Sequence, residues 1–414
     1  MARNCLRELA QAKIVEHNKA SVASPCIHFF ANCVFGDHVA GGDIHFFHMA
    51  EASLAEGYPV HFFGGHALQQ HLQNRHIAVT QTLTDKRMMR PIRQETLEGQ
   101  CRLFWDYLRR YCQTLRRLNE IKPEDTVYAV TDYWFDVLPV VFSRAKKKLM
   151  ILGMDAPTLR EIIFRTRPDV TASRLTSIYY WASQNLSLRL FRRCHDKRLF
   201  YVHPDMRARL LRMGYQHKEL VYISNGMNRR AAEAVPDQTK EFDVIWVGRM
   251  HRQKGIEDLL ATLAQLSRTI KNFRVVLVGR LDELKDELQK HQLTGCVTLA
   301  GMVSEGEKFR LFKASRVFLM PSRQESWGIV IAEALACQVP VVAYDLPAYR
   351  PIFGSLVHYV PAFDLEKFKA TALETVERAR RGETALDAQD VAELKSTHSW
   401  EAAGNRFTST IASF

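Results

Sequence analysis

Short apolar runs alternate with amphipathic stretches from about residue 20 of this chain, falter near residue 235, and then resume. That double alternation narrows the choice of folds sharply, because it is the pattern of β-α-β units built on mostly parallel sheets. In the front half, strands are expected at Cys26–Phe30, Pro59–Phe63, Thr126–Val130, Lys148–Leu152, Leu199–Val202 and Glu219–Ile223, with helices over Gly41–Glu56, Glu95–Leu118 and Ala182–Cys194. The stretch Arg229–Lys240 loses periodicity, carries Pro236 and precedes a fresh apolar run. Beyond it, strands are expected at Phe242–Val247, Phe273–Val278, Val297–Ala300, Val317–Met320 and Val339–Ala343, and helices at Gly255–Thr269, Asp282–His291, Glu305–Ser315 and Gly328–Ala336. The expected class is α/β: two doubly wound, Rossmann-like domains, residues 1–235 and 236–395, and a segment 396–414 whose helix Trp400–Ile411 returns toward the first domain. Such sheets bind ligands beyond the carboxyl ends of their strands, so two of them facing each other enclose a cleft.

A length of 414 residues, 47% hydrophobic and 25% charged, suits two globular domains and excludes disordered, collagenous and miniprotein chains. No apolar run approaches the ~20 residues needed to cross a bilayer, and the first residues carry charges where a signal peptide needs an apolar stretch, so a cytoplasmic protein is expected. Eight cysteines are scattered without a Cys-x-x-Cys pair and spell neither a zinc site nor a disulfide framework. The net charge of +12 is lopsided: residues 1–235 hold 34 Lys and Arg against 22 Asp and Glu, whereas 236–414 hold 23 against 23. Clusters such as Arg109-Arg110, Arg116-Arg117, Arg144 with Lys146-Lys147-Lys148, Arg192-Arg193, and Arg207, Arg209 and Arg212 carry the excess. A basic front half is expected to meet something anionic, a phospholipid surface or an anionic or lipid-linked acceptor, which allows peripheral contact with the inner face of a membrane. A solvated face accounts equally well for any single cluster. Nucleic acid is not an expected partner, because no recognition module or aromatic platform accompanies the charge.

The residues that carry chemistry lie in the rear half. In Pro321–Ala336, Glu325 falls in a strand-to-helix turn and Glu333 stands eight positions later, in an otherwise apolar helix. A carboxylate set between Ile331-Ala332 and Ala334-Leu335-Ala336 is costly to bury unless it binds something. Gly328 lets backbone approach a ligand, and the amides of Gly328, Ile329 and Val330 open the helix as an anion site suited to a diphosphate. Glu333 then suits ribose hydroxyls, and Glu325 a hydroxyl of an attached sugar. In Trp246–Gly255, Arg249 follows Gly248, and Lys254 lies in the same strand-to-helix turn, so that two cations are available to a pyrophosphate.

Gly248-Arg249, then Lys254-Gly255, then the glutamate pair resemble the motifs of the retaining, nucleotide-sugar-dependent glycosyltransferases of family four (glycosyltransferase group 1), which have the GT-B fold. Further similarity lies in Gly41-Gly42-Asp43-Ile44-His45, like the family's glycine-rich loop, in the Asn225-Gly226 turn, in Leu299–Val303, like the loop that reads the base, and in Ser399-Trp400 before the terminal helix. The resemblance implies transfer of a hexose-type sugar from a nucleoside diphosphate sugar, UDP or GDP, to an acceptor hydroxyl, in polysaccharide or glycolipid synthesis. By the same resemblance, Arg249 and Lys254 bind the diphosphate and Glu325 the transferred sugar. Glu333 binds the ribose, Met302 and Val303 lie near the base, and Gly41 and Gly42 contact the phosphates from across the cleft. No cofactor is implied, and no catalytic metal, in keeping with the lack of an Asp-x-Asp motif. A donor phosphate oxygen takes the acceptor proton in the family's usual mechanism, so no covalent residue is expected.

The chain departs from the family at the end of Lys148–Leu152, where a histidine is common and Gly153-Met154-Asp155 stands instead. Asp155 and Asp132 are acceptor-side candidates, with helix capping the simpler role for Asp155 and an even alternative for Asp132. Of the histidines at 38, 45, 48, 61, 66, 71 and 76, His45 alone is expected beside the cleft; the spacing of the set does not form a metal site. A nucleotide-sugar-binding or scaffold protein without turnover is the competing reading. A nicotinamide enzyme is disfavoured by the lack of a Gly-x-Gly-x-x-Gly turn.

Overall fold

A computed structural model of the chain describes residues 25–35, 41–86, 97–165, 173–384 and 386–414. Among them lie two parallel sheets. The front sheet is built from β1 (Ile27–Phe30), β2 (Val60–Gly64), β3 (Thr80–Leu83), β4 (Thr126–Ala129), β5 (Lys147–Leu152), β6 (Lys197–Tyr201) and β7 (Leu220–Tyr222), in the order β3-β2-β1-β4-β5-β6-β7. The rear sheet contains β8 (Phe242–Val247), β9 (Val275–Val278), β10 (Val297–Gly301), β11 (Ser315–Met320), β12 (Val341–Tyr344) and β13 (Val357–Val360), in the order β10-β9-β8-β11-β12-β13. Each order reverses once, between β1 and β4 and between β8 and β11, and a crevice opens where the strand order reverses. Central strands read as unbroken apolar runs because helices cover both faces: β1 and β4 are buried at every residue.

The structure adds elements that the apolar pattern does not predict. β3, Thr-Gln-Thr-Leu, is an edge strand without a buried residue, so no apolar run announces it. β13 and the helices Leu365–Arg380 and Ala388–Thr397 lie in a stretch where the apolar pattern predicts no element. The helix expected from Ala182 starts earlier and spans Arg174–Phe191, with the Ser173 side chain capping it by accepting from the Thr176 amide.

The hydrophobic core changes hands between Ile223, in the front cluster, and Met227, in the rear one. The short helix Arg229–Ala234, assigned to the first domain on sequence, packs Ala232 into the rear core. Trp400, Ala403, Phe407 and Ile411 of the last helix, Trp400–Ala412, join the front core. Gly404 admits the helix Gly41–Ala55, since a Cβ there would lie 2.6 Å from that of Ala52. At the crossing, Met227 donates its amide to His398 O (3.0 Å) and accepts from the amide of Trp400 (3.2 Å). Not all of the basic excess faces solvent. Arg110 is 1% exposed, its guanidinium bonded to Val34 O at 2.7 Å and paired with Asp106 at 2.7 Å and Asp85 at 3.3 Å. None of the helices described is long and apolar enough to cross a membrane.

Candidate active site

The loops that follow β8 and β11 meet at the rear switch point because those strands are neighbours. Each loop is held by positions where only glycine fits. Gly255 has φ +64°, and a Cβ there would lie 1.9 Å from Pro321 O, so the β8 loop rests directly on the β11 loop. Gly328 has φ +95° and faces the ring edges of Tyr349 and Phe353, while a Cβ on Gly248 would meet the buried Trp246 ring at 2.8 Å. Side chains then lock the loops together. Lys254 Nζ pairs with Glu325 Oε1 at 2.5 Å, with both side chains largely buried. Arg323 grips Asp258 with hydrogen bonds of 3.0 and 2.9 Å, and Tyr344 OH donates to the same carboxylate at 2.9 Å. Arg249 is exposed and forms no ion pair with the described residues, which leaves its charge available.

Glu333 is 5% exposed and pairs with Lys308 Nζ at 2.6 Å. Lys308, on the helix Glu305–Lys313, is a site neighbour that sequence reasoning missed; nothing in its spacing marks it, because the contact spans helices. Gly328, buried, is the N-cap of the helix Ile329–Ala336, and the half-buried Ile329 packs against both hydrophobic cores. Met302 is exposed and Val303 half-buried just after β10.

A cleft of about 510 Å³ lies between the domains, with Met154, Asp155 and Glu161 on its front wall and Glu325, Ser326 and Asp345 on its rear wall. Asp155 pairs with Arg209, which also donates to Gln184 Oε1 at 2.9 Å. Gln184 in turn donates to Met154 O at 2.7 Å and to Asp132 Oδ2 at 2.8 Å, and Tyr180 OH donates to Asp132 at 3.1 Å. Neither aspartate caps a helix. Thr158 caps the helix Leu159–Phe164 in a capping box with Glu161, and the helix Trp134–Phe142 has no side-chain cap. Asp132 sits behind the cleft wall, where burial raises its pKa to about 6 against the hydrogen bonds that lower it. Arg209, Gln184 and Tyr180 escaped the sequence reading; only Arg209 left a trace, in the basic series 207–212.

His45 stands apart from the other candidates. It is 2% exposed, bonded through Nδ1 to Asn225 Oδ1 at 3.0 Å and packed edge-on against Trp400, which puts it in the domain seam rather than beside the acceptor. Burial depresses its pKa to about 4. Gly41 opens the helix Gly41–Ala55 and Gly42 is exposed with nothing within 4 Å of a Cβ; the loop before them, with His38, lies outside the described residues. No group of three or more potential metal ligands occurs among the described residues. The rear domain thus carries two lysine–carboxylate pairs, Lys254–Glu325 and Lys308–Glu333, together with the exposed Arg249 after β8 and the helix start at Gly328.

Residues 228–375 match the glycosyl transferases group 1 family. A phosphatidyl-myo-inositol mannosyltransferase of Mycobacterium leprae is 27% identical over 244 residues, 55% of this chain and 65% of the relative. The chain spans between about a third and two thirds of the length of the curated relatives that it matches. Among solved structures, sucrose-phosphate synthase of Thermosynechococcus elongatus superposes with a TM-score of 0.69 at 17% identity, over 94% of this chain and 98% of that one. HepE of Anabaena, in complex with UDP and glucose, gives 0.67 at 16% identity, over 94% and 100%. At these identities the likeness is one of fold.

Proposed function

We propose, from a rear domain that belongs to the group 1 glycosyltransferases and a chain with the GT-B fold, that this protein is a retaining glycosyltransferase that needs no divalent metal. It moves a hexose-type sugar from a UDP or GDP sugar to an acceptor hydroxyl in glycolipid or polysaccharide synthesis. The observation that carries the reading is the Lys254–Glu325 pair between the loops that follow β8 and β11, with Glu325 on the wall of the interdomain cleft.

The chemistry follows from that arrangement. As the bond between the sugar C1 and the diphosphate oxygen breaks, negative charge grows on the diphosphate, where Arg249, Lys254 and the amides of Gly328, Ile329 and Val330 stabilise it without reorganising. A donor phosphate oxygen takes the acceptor hydroxyl proton, and the acceptor oxygen bonds to C1 on the face that the diphosphate leaves. Nucleoside diphosphate and the glycoside are the products, and no protein nucleophile is needed. Glu325 accepts a hydrogen bond from the transferred sugar. Glu333, oriented by Lys308, binds the ribose; Met302 and Val303 flank the base; Gly41, Gly42 and Gly248 let backbone approach the phosphates. On the acceptor side, Asp155 lines the cleft, and Asp132 supports that wall through Gln184. The M. leprae relative's name, a phosphatidyl-myo-inositol mannosyltransferase, supports a lipid-linked and anionic acceptor, and the basic front half supports peripheral contact at the inner face of a membrane from the cytoplasm.

Steady-state transfer with each candidate donor, run in EDTA, tests the reading. Arg249→Ala and Lys254→Ala each lower kcat by about 10²–10³, and nuclear magnetic resonance of the product shows the same anomeric configuration as the donor. Wild-type rates in both variants, or an inverted product, refute it.

A further inference from the structure

A second cavity, of about 310 Å³, lies outside the cleft and is walled by arginines: Asn185, Leu188, Arg189, Arg192, Arg193 and Met213 line it. They come from the end of the helix Arg174–Phe191 and from the turn that follows the helix Met206–Arg212, and these two ends lead into β6 and β7. Because β6 and β7 are parallel neighbours, the cavity sits at the edge of the front sheet where those strands begin. The cleft residues Met154, His203 and Asp205 instead follow the ends of β5 and β6. The two sites lie on opposite edges of one sheet, and an occupant of the second is not a substrate held in the first.

Arginines at the end of a helix ordinarily cover its last carbonyls. Here other groups do so: Tyr215 OH donates to Leu188 O at 2.6 Å, and Lys197 Nζ donates to Cys194 O at 2.8 Å. The guanidinium groups of Arg189, Arg192 and Arg193 are exposed and have no hydrogen-bond or ion-pair partner among the described residues. No carboxylate lines the cavity, and neither helix contains an aspartate or glutamate. Glu219, just before β7, is taken by Lys197 at 2.7 Å. Arg192 is also held in place: Gly214 has φ +88°, and a Cβ there would lie 2.5 Å from Arg192 Nη1, so the guanidinium rests on the backbone of the turn.

Three like charges around one cavity repel one another until an anion joins them. Guanidinium forks match phosphate oxygens, and the buried Leu188 with the half-buried Met213 offers an apolar floor to an organic body. The volume is at the low end of small-molecule sites. We propose that this cavity binds a small soluble organic phosphate with two or more negative charges, at a site separate from the interdomain cleft. The inference stands on the cavity and its charges and does not rest on the glycosyl-transfer reading.

Isothermal titration calorimetry of the full chain with inorganic pyrophosphate tests it, because pyrophosphate presents the charge without the organic body. Arg249→Ala combined with Lys254→Ala removes the cations of the candidate active site, and pyrophosphate is expected to bind that variant still, more weakly as potassium chloride is raised. Arg192→Gln combined with Arg193→Gln weakens this remaining binding about tenfold or more, with an unchanged melting temperature showing that the fold survives. Arg192→Lys with Arg193→Lys keeps the charge, loses the forks and weakens binding by less. On the wild-type background the glutamine pair removes one pyrophosphate site, which keeps the test decisive if the double alanine variant fails to fold. Loss of all pyrophosphate binding with the active-site cations, or full affinity in the glutamine variant, overturns the proposal. So does sedimentation with phosphatidylglycerol vesicles that the glutamine pair abolishes while pyrophosphate fails to bind, since the arginines then serve a lipid surface. If the donor reading alone is wrong, the double alanine variant binds pyrophosphate as the wild type does and the glutamine pair still weakens it.

Discussion

The rear domain fixes its site by backbone contact, and the front domain builds its side of the cleft from side-chain networks over open backbone. In the rear, a Cβ on Gly255 would strike Pro321 O at 1.9 Å, and a Cβ on Gly279 would strike Gly248 O at the same distance. In the front, Gly42 and Gly153 have nothing within 4 Å of a Cβ, and the cleft wall depends on the relay from Arg209 through Gln184 to Asp132. A ligand held by backbone geometry tolerates little change, while a wall made of side chains can be re-cut one residue at a time. Under the proposed function, the contrast fits a donor whose diphosphate demands fixed partners and an acceptor recognised by interchangeable ones.

The sharpest break of this contrast is a matched pair of alanine substitutions. Gly255→Ala is expected to cost at least ~3 kcal/mol, because strain at positive φ adds to the clash with Pro321, while Gly153→Ala stays within about 0.5 kcal/mol. Melting curves of both variants decide it, and equal shifts would remove the distinction. Next in size is Lys308→Met. It strands the nearly buried Glu333 without its partner at a cost of about 2–3 kcal/mol, and it raises the donor KM more than it lowers kcat if Glu333 acts on the ribose. A variant with wild-type stability would mean that the pair is incidental.

The smallest expected effect belongs to the seam between the two regions. His45 and His398 are both held near pKa 4 by burial, below the ordinary 6.5. The unfolded chain therefore binds protons that the folded one refuses between about pH 6.5 and 4, and stability present above that window is lost as pH falls through it. Each histidine contributes about 1–2 kcal/mol between pH 6.5 and 5. Asp132, with its pKa raised to about 6, acts in the opposite sense, its contribution falling as pH rises from 3.8 toward 6. The melting temperature of His45→Gln followed from pH 7.5 to 5 should show a shallower acid slope than wild type; an unchanged slope removes His45 from the seam's pH response.

The two regions also differ in how much of them could be read beforehand. Both sheets were legible because central strands must be apolar on both faces, and the rear motifs were legible because backbone constraints leave glycines at fixed places beside charged residues. What escaped was set by partners distant in sequence. Lys308 matters only because it reaches Glu333, and Arg209 only because it reaches Asp155. Arg109 and Arg110 look alike in sequence, yet one is exposed and the other is 1% exposed, a distinction made by helix phase against Asp85 and Asp106. β3 was silent because an edge strand with polar side chains has no apolar period to detect.

The crossing of the chain at Met227 and Ser399 has a consequence for lineage and engineering. Entry to and exit from the rear domain are paired as adjacent parallel segments, so that domain is a guest inserted at a single point of its host. Removing such a guest leaves two ends already side by side, which a crossover loop can join, and a different guest can be grafted without redrawing the host's topology. Any swivel of one body on the other must bend both segments together, which restricts the relative motion to directions that keep them parallel.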